Sequence, residues 1–271
     1  MILITGGSGF LGEALIKRLY PKPIRVVARN EGKLVDLKDK FPEIETVTGD
    51  IADEWTVKKV MKDVTEVYHL AAYKHVGLAE TNSFQCISSN TIGSLNILRE
   101  SLFTKPKFVI GISTDKAAQV KGVYGATKLL MEALFREAER MNPDTDYRVV
   151  RYGNVLYSTG SVLCRWKDAM QKGEEVTITD PTATRFFWTV DEAVDLIFKC
   201  LKIAKDSKPV VTEMKSMRVG DLLEAMMEKY GRVNVNTIGL QPGENKHETI
   251  DGKTFSDRVK QFTKEEIMEK I

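Results

Sequence analysis

The chain has 271 residues, with 40 lysines and arginines against 38 aspartates and glutamates, for a net charge of +2. That balance offers no basic face for nucleic acid or for an anionic membrane, so neither is expected as a partner; 42% hydrophobic and 29% charged residues are ordinary proportions for a globular chain. Cys86, Cys164 and Cys200 are odd in number and widely spaced, without metal-ligand or disulfide spacing, so they read as small buried hydrophobes and no metal is expected. No apolar run reaches the roughly 20 residues a bilayer span requires. The first apolar stretch leads straight into glycines instead of a cleavage site, so the expected location is the cytoplasm.

Strand and helix patterns alternate from the first residues. An apolar strand over 2–5 precedes a helix over 10–20, spaced by Leu11, Ala14, Leu15 and Leu19 and stopped by Pro21 and Pro23. Further strands are predicted over 24–28, 44–48, 66–70, 108–112 and 147–151, with helices over 31–39, 54–62, 84–102 and 124–141. Repeated β-α-β order predicts a doubly wound α/β fold, a parallel sheet covered on both faces. After Gly153 the pattern loosens into helices over 162–172, 191–204 and 219–229 and strands over 176–179, 210–212 and 233–237. Residues 1–153 therefore read as a dinucleotide-binding domain that also carries the catalytic residues. Residues 154–271 read mainly as a smaller substrate-binding lobe, packed closely because no linker composition separates the two.

The opening segment Thr5-Gly6-Gly7-Ser8-Gly9-Phe10-Leu11-Gly12 sits between a strand and a helix, the context a dinucleotide-binding loop requires. Gly6 serves the turn, Gly9 the approach of the pyrophosphate and Gly12 the packing of helix on strand, with Ser8 and Phe10 in the same loop at the helix N-terminus. At the end of the second strand, where an acidic residue would take the ribose 2′-hydroxyl of NAD, stands Arg29, whose fork suits a 2′-phosphate. NADP is thus expected, with NAD the alternative if Arg29 only stacks on the adenine or faces solvent. Asp50 and Ile51 follow the third strand at the adenine edge, and Ala71 and Ala72 follow the fourth, along the cofactor.

The fifth strand runs into Ser113-Thr114-Asp115-Lys116-Ala117-Ala118, followed by Tyr124-Gly125-Ala126-Thr127-Lys128. Tyr124 and Lys128 are four apart and share one helical face. An ammonium one turn away can lower a phenol's pKa, and such a phenol can exchange a proton as hydride moves. Asp115 and Lys116 read either as an acid and a base side by side or as a surface ion pair. The cation would lower the carboxyl's pKa and burial would raise it.

The glycine loop with Tyr124-x-x-x-Lys128 resembles the extended short-chain dehydrogenase/reductase family. Further stretches resemble its inverting UDP-N-acetylglucosamine 4,6-dehydratase branch: Ala71-Ala72-Tyr73-Lys74-His75-Val76, Ser113-Thr114-Asp115-Lys116-Ala117-Ala118, Arg151-Tyr152-Gly153-Asn154-Val155, Thr184-Arg185-Phe186 and Pro242-Gly243-Glu244-x-x-His247-Glu248. The likeness covers roughly residues 1–250. It implies that hydride leaves C4 of the sugar with Tyr124 as base, and that Lys116 takes the C5 proton while Asp115 protonates the departing 6-hydroxyl. Hydride then returns to C6 and a proton reaches C5 from the opposite face, while Thr114 bonds near O4. Retaining relatives tend to carry methionine where Tyr124 stands. On the substrate side the resemblance implies Asn154 near the sugar diphosphate, Arg185 as a diphosphate clamp, Arg218 and Glu244 toward the uridine, and Lys74 and His75 in the sugar pocket. His75 reads equally as a packed or surface histidine. Trp166, Phe186, Phe187 and Trp188 read as core.

Two departures bear on the nucleotide sugar. Gln241-Pro242-Gly243-Glu244-Asn245 replaces the family's Arg-Pro-Gly-Glu-Lys, and relatives continue for several dozen residues beyond the position of Ile271. The competing functions are a nucleotide-sugar epimerase or reductase, which needs Tyr124 and Lys128 but not Asp115 and Lys116, and a cofactor-sensing module without turnover. A homo-oligomer, from dimer to hexamer, is expected through the helices over 84–102 and 124–141.

Overall fold

The computed structural model describes all residues from Met1 to Ile271. Six strands, β1 (Ile2–Thr5), β2 (Ile24–Ala28), β3 (Glu45–Thr48), β4 (Glu66–His69), β5 (Phe108–Thr114) and β6 (Asp146–Tyr152), pair in parallel in the order β3-β2-β1-β4-β5-β6. Their apolar residues are buried on both sides, as a helix-covered parallel sheet requires: Leu3 and Val27 point into one core and Ile4 and Val26 into the other. The strand order reverses between β1 and β4, and at such a switch point a crevice opens beyond the carboxyl ends of the strands.

One face is covered by α1 (Phe10–Leu19) and α2 (Glu31–Lys40), through Leu15, Ile16, Leu19, Leu34 and Leu37. The other is covered by α3 (Glu54–Met61), which contributes Val57 and Val60, and by two longer helices. The helix expected over 84–102 is broken into α5 (Ser83–Ile87), a widened π turn (Ser88–Ile92) and α6 (Gly93–Thr104), with a short α4 (Val76–Thr81) before it. The widened turn carries Asn90, which holds the Tyr73 peptide from both sides: Oδ1 accepts from Tyr73 N at 2.7 Å and Nδ2 donates to Tyr73 O at 2.9 Å. A hydrophobic period does not report that tertiary bond. The helix α7 (Val123–Met141) completes this face with Met131, Phe135 and Ala138.

Beyond β6 the chain forms β7 (Asn154–Val155), α8 (Val162–Lys172), β8 (Val176–Ile178), β9 (Thr184–Trp188), α9 (Val190–Ile203), β10 (Ser216–Arg218), α10 (Val219–Tyr230), β11 (Val235–Thr237) and α11 (Lys264–Lys270). The pairs β10-β9-β7 and β11-β8 make two small sheets. Leu163, Trp166, Met170, Phe187, Leu222 and Met226 form a separate core beneath them. The strand expected over 210–212 is reduced to a single bridge from Val210 to Val150.

The chain does not divide in space at residue 153. Thr189 and Glu192 close a capping box that starts α9, and its apolar stripe, Ala193, Val194, Leu196, Ile197 and Cys200, enters the same core as α1 and β1. The helix therefore covers the six-stranded sheet, although it lies within the stretch expected to be lobe.

Candidate active site

A cavity of about 630 Å³ opens at the switch point between β1 and β4. At one end the backbone turns at Gly6, with φ +70°, and a Cβ there would stand 2.8 Å from the Ala71 backbone. A Cβ on Gly12 would stand 2.5 Å from Gly7 Cα, so the helix can approach the loop only with glycine there. Ser8, Gly9 and Phe10 line the cavity beside them at the start of α1, leaving a cradle of backbone that no side chain fills. Beneath it lies buried His69, with Nδ1 2.9 Å from Thr5 Oγ1 and Nε2 2.8 Å from Ser94 Oγ. Thr5 Oγ1 also accepts from Ala71 N at 3.1 Å. Burial, helped by the Lys128 charge, pushes the His69 imidazole down to about 3, so it stays neutral.

Arg29, Asp50, Ile51, Ala71 and Ala72 stand on the cavity wall. Arg29 Nη1 lies 3.4 Å from Ser89 Oγ and 3.8 Å from Asp50 Oδ2. Asn30, Lys33 and Ser89 line the same end, and sequence reasoning passed over all three. Lys33 is four residues after Arg29, a spacing that could have been read. The free backbone donors and the glycine approach fit a nicotinamide dinucleotide.

The opposite end is built by β5, α7 and β7. Thr114, Lys116, Tyr124, Lys128 and Asn154 all line the cavity, with Lys74 and His75 across from them. Lys74 Nζ donates to Thr159 O at 2.9 Å, and His75 packs against Gly160. Burial is the largest influence on the Tyr124 phenol and pushes it up to about 12; the Lys116 charge and the nearby Thr114 hydroxyl oppose it. The expected partner, Lys128, instead donates to Ile112 O at 2.7 Å and is itself pushed down to about 8 by burial. The cation that lowers the phenol is thus Lys116, because the Lys128 ammonium is tied to the strand.

Asp115 is fully buried behind that wall. Its Oδ1 accepts from Thr114 Oγ1 at 2.8 Å and from Lys116 Nζ at 3.1 Å, while Oδ2 has no partner. The pair is therefore not a surface ion pair, and Asp115 reaches the cavity only through Thr114 or Lys116. Lys116 also lies 3.5 Å from Glu248 Oε1, and Glu248 lies 3.8 Å from Arg185 Nε. The two carboxylates outweigh burial and Arg185 and hold Lys116 well above the usual lysine range. A second buried cluster underlies Lys128: Arg151 grips both oxygens of Glu132 at 2.6 Å, and Ser113 Oγ donates to Glu132 Oε1 at 2.5 Å.

Three substrate-side expectations are not met at the cavity. Arg185 is 8% exposed and spends Nη1 on the carbonyls of Thr184 and Lys246, so its fork belongs to the buried network and is not presented to a diphosphate. Arg218 is exposed at the end of β10, and Glu244 accepts from Gln241 N within its own turn; both lie on the lobe outside the wall. Trp166, Phe186 and Phe187 are buried in the core as expected. Tyr152 is a wall residue that sequence reasoning missed; its buried hydroxyl has no partner.

The sequence matches the family described as polysaccharide biosynthesis protein over residues 2–270. It is 38% identical to an uncharacterized membrane protein of Methanocaldococcus jannaschii, over 92% of this chain and 79% of that protein. It is 34% identical to an inverting UDP-N-acetylglucosamine 4,6-dehydratase of Campylobacter jejuni, over 96% of this chain and 80% of the relative. It is 32% identical to a UDP-glucose 4-epimerase of Rickettsia bellii, over 92% and 76%. Among solved structures, Pen from Bacillus thuringiensis superposes with a TM-score of 0.93 at 29% identity, covering 99% of this chain and 95% of that one. A dTDP-glucose 4,6-dehydratase from Streptomyces venezuelae with NAD bound superposes with a TM-score of 0.85 at 18% identity, covering 99% and 95%, a likeness of fold. No helix of this chain is long and apolar enough to cross a membrane.

Proposed function

The chain belongs to the polysaccharide biosynthesis protein family, with the extended short-chain dehydrogenase/reductase fold, and on that premise we propose that it is a nucleotide-sugar 4,6-dehydratase. The proposed reaction converts UDP-N-acetylglucosamine to a 4-keto-6-deoxy sugar with inversion at C5. The observation that carries the reading is the pairing of Lys116 with Asp115 beside Tyr124, opposite the glycine cradle. A redox step alone needs one proton-exchanging phenol; loss of water needs an acid and a base besides.

Bound in the cradle, NADP would accept hydride from C4 and return it to C6, and its cationic ring would favour the Tyr124 phenolate. Tyr124 takes the O4 proton with Thr114 beside it. The 4-ketone then acidifies C5–H. Elimination needs a free amine and a protonated carboxyl, and moving one proton from Lys116 Nζ to Asp115 Oδ1, 3.1 Å away, makes both without changing the net charge. Lys116 then takes the C5 proton, while the Asp115 proton reaches the departing 6-hydroxyl through Thr114 Oγ1. C5 then takes a solvent-derived proton from the opposite face while Tyr124 releases the one it took from O4, so the site returns to its starting charge. Asn154, Lys74 and His75 face the sugar. Lys33 beside Arg29 supports NADP over NAD.

The test is incubation with UDP-N-acetylglucosamine and NADP in deuterated water, followed by NMR. The expected product is a 4-keto-6-deoxy sugar carrying deuterium at C5, and recovery of only a C4 epimer overturns the reading. Epimerization is the second reading, favoured by the epimerase name of a relative nearly as similar; it leaves Asp115 and Lys116 without a task. A homo-oligomer is proposed through the face where Phe84, Leu129 and Leu130 are exposed on α5 and α7, and a monomer in light scattering refutes it.

A further inference from the structure

The Pro242-Gly243-Glu244-x-x-His247-Glu248 stretch contributes to the site a residue with no role in the scheme above. Glu248 is 1% exposed, a burial that carboxylates accept only when paired. Its surroundings fix it closely. Glu248 N donates to Ser256 Oγ at 2.9 Å, Oε2 accepts from Asn245 Nδ2 at 3.1 Å, and Oε1 faces Lys116 at 3.5 Å and Arg185 at 3.8 Å. The neighbouring chain is tied to both halves of the molecule: Lys246 O accepts from Thr184 N at 3.1 Å, and Ile250 O accepts from Arg151 Nη1 at 3.1 Å. The lobe thus places one carboxylate oxygen beside an amine on the dinucleotide-binding sheet.

An ammonium has three N–H bonds in tetrahedral array. At Lys116 one points at Asp115 Oδ1 and one is within reach of Glu248 Oε1, and the residue lines the cavity. We propose that Glu248 is a positioning residue for Lys116, which with Asp115 engages two of the three N–H bonds and leaves the third facing the cavity, as the site of proton exchange with C5. This rests on the dehydratase reading and deepens it. Once Nζ has passed one proton to Asp115, the amine turns so that its two remaining N–H bonds stay with the two carboxyl groups and its lone pair faces the substrate. The charges that face Lys116 are Asp115 on its own turn, Glu248 and Arg185 from the lobe and Tyr124 from α7. Asp115, Lys116, Glu248 and Arg185 alternate in sign and sum to zero. Replacing Glu248 by a neutral side chain leaves two cations against one carboxylate. Arginine does not give up its proton, so Lys116 loses its own more readily and the pH profile moves to lower pH.

The experiment compares wild type with Glu248→Gln and Glu248→Ala on UDP-N-acetylglucosamine and NADP. It reads transient NADPH absorbance for the C4 hydride step and deuterium at C5 for the proton step. In Glu248→Ala the proton step is expected to fall on the order of 10²-fold, the scale of a displaced acid–base group, with NADP affinity and the hydride step retained. Glu248→Gln keeps an acceptor oxygen but not the charge; it is expected to lose less, with the pH profile of C5 exchange displaced to lower pH. Equal losses in both steps, or a Glu248→Gln profile superimposed on wild type, overturn the proposal. If Glu248→Ala does not fold, the Glu248→Gln profile decides alone. A wild-type enzyme yielding only the C4 epimer ends the dehydratase reading and this proposal together, whereas a dehydrating wild type with an unaffected Glu248→Gln ends this proposal only.

Discussion

Gly6, Gly9, Gly12, Arg29 and Asp50, at the proposed cofactor end of the cavity, all lie within the first 50 residues, whereas Lys116 and Glu248, at the proposed reaction end, are 132 positions apart. The first end is made mostly of backbone: a turn at positive φ, close approaches that exclude a Cβ, and a helix N-terminus. The second is made of buried charge: Asp115, Lys116, Glu248 and Arg185 in one cluster, Glu132 and Arg151 in another. A backbone cradle is specified by which residues lack side chains and tolerates neighbours that only fill space. A buried charge is tolerable only with its partner in place, so the reaction end depends on how the lobe is docked.

The largest effect should come from dismantling the reaction end alone. An Asp115→Asn/Lys116→Ala double variant is expected to lose dehydration by about 10²-fold or more while NADP titration by fluorescence stays unchanged. Full activity would remove both residues from the chemistry, and lost NADP binding would mean the two ends are not separable.

The Lys128 side chain stands where the two ends meet. Burial lowers it from 10.5 to about 8 in the folded protein. Between those values the unfolded chain holds more protons, so stability rises with pH there; below pH 8 the full burial cost, roughly 3 kcal/mol, is present. Lys128→Met should therefore raise the Tm at pH 7, less the lost bond to Ile112 O, with the gain shrinking toward pH 10.5. A lower Tm at pH 7 would show that the bond outweighs the burial.

Arg29→Ser probes the cofactor end by itself. Loss of one charged hydrogen bond to a 2′-phosphate is worth about 1.5–3 kcal/mol, or roughly 10- to 100-fold in affinity. NADP should weaken by that factor while NAD does not. Equal weakening of both would place Arg29 on the adenine instead.

A further test concerns the support under the glycine loop. His69 is held neutral down to about pH 3, so the unfolded chain takes up a proton near pH 6.5 that the folded protein does not. Stability should fall as pH drops from 6.5 toward 3, by about 1.4 kcal/mol per unit from this one group. Urea unfolding of His69→Gln should show a shallower slope over that window.

The amino-acid sequence determined the β-α-β order, the parallel sheet, the glycine loop, and the sharing of one helical face by Tyr124 and Lys128, because each depends on residues a few positions apart whose spacing is a period or a turn. It also placed Thr114, Asn154, Lys74 and His75 at the cavity, since each stands at or just beyond the carboxyl end of a strand or in the β6–β7 junction. Tertiary structure alone decided the rest. It withdrew Arg185 from the cavity into a carboxylate's company, moved α9 onto the dinucleotide-binding sheet, tied Lys128 to Ile112, and set Glu248 beside Lys116. Three of those outcomes follow from pairing buried polar groups and the placement of α9 from burying its apolar stripe, contacts that no local period records.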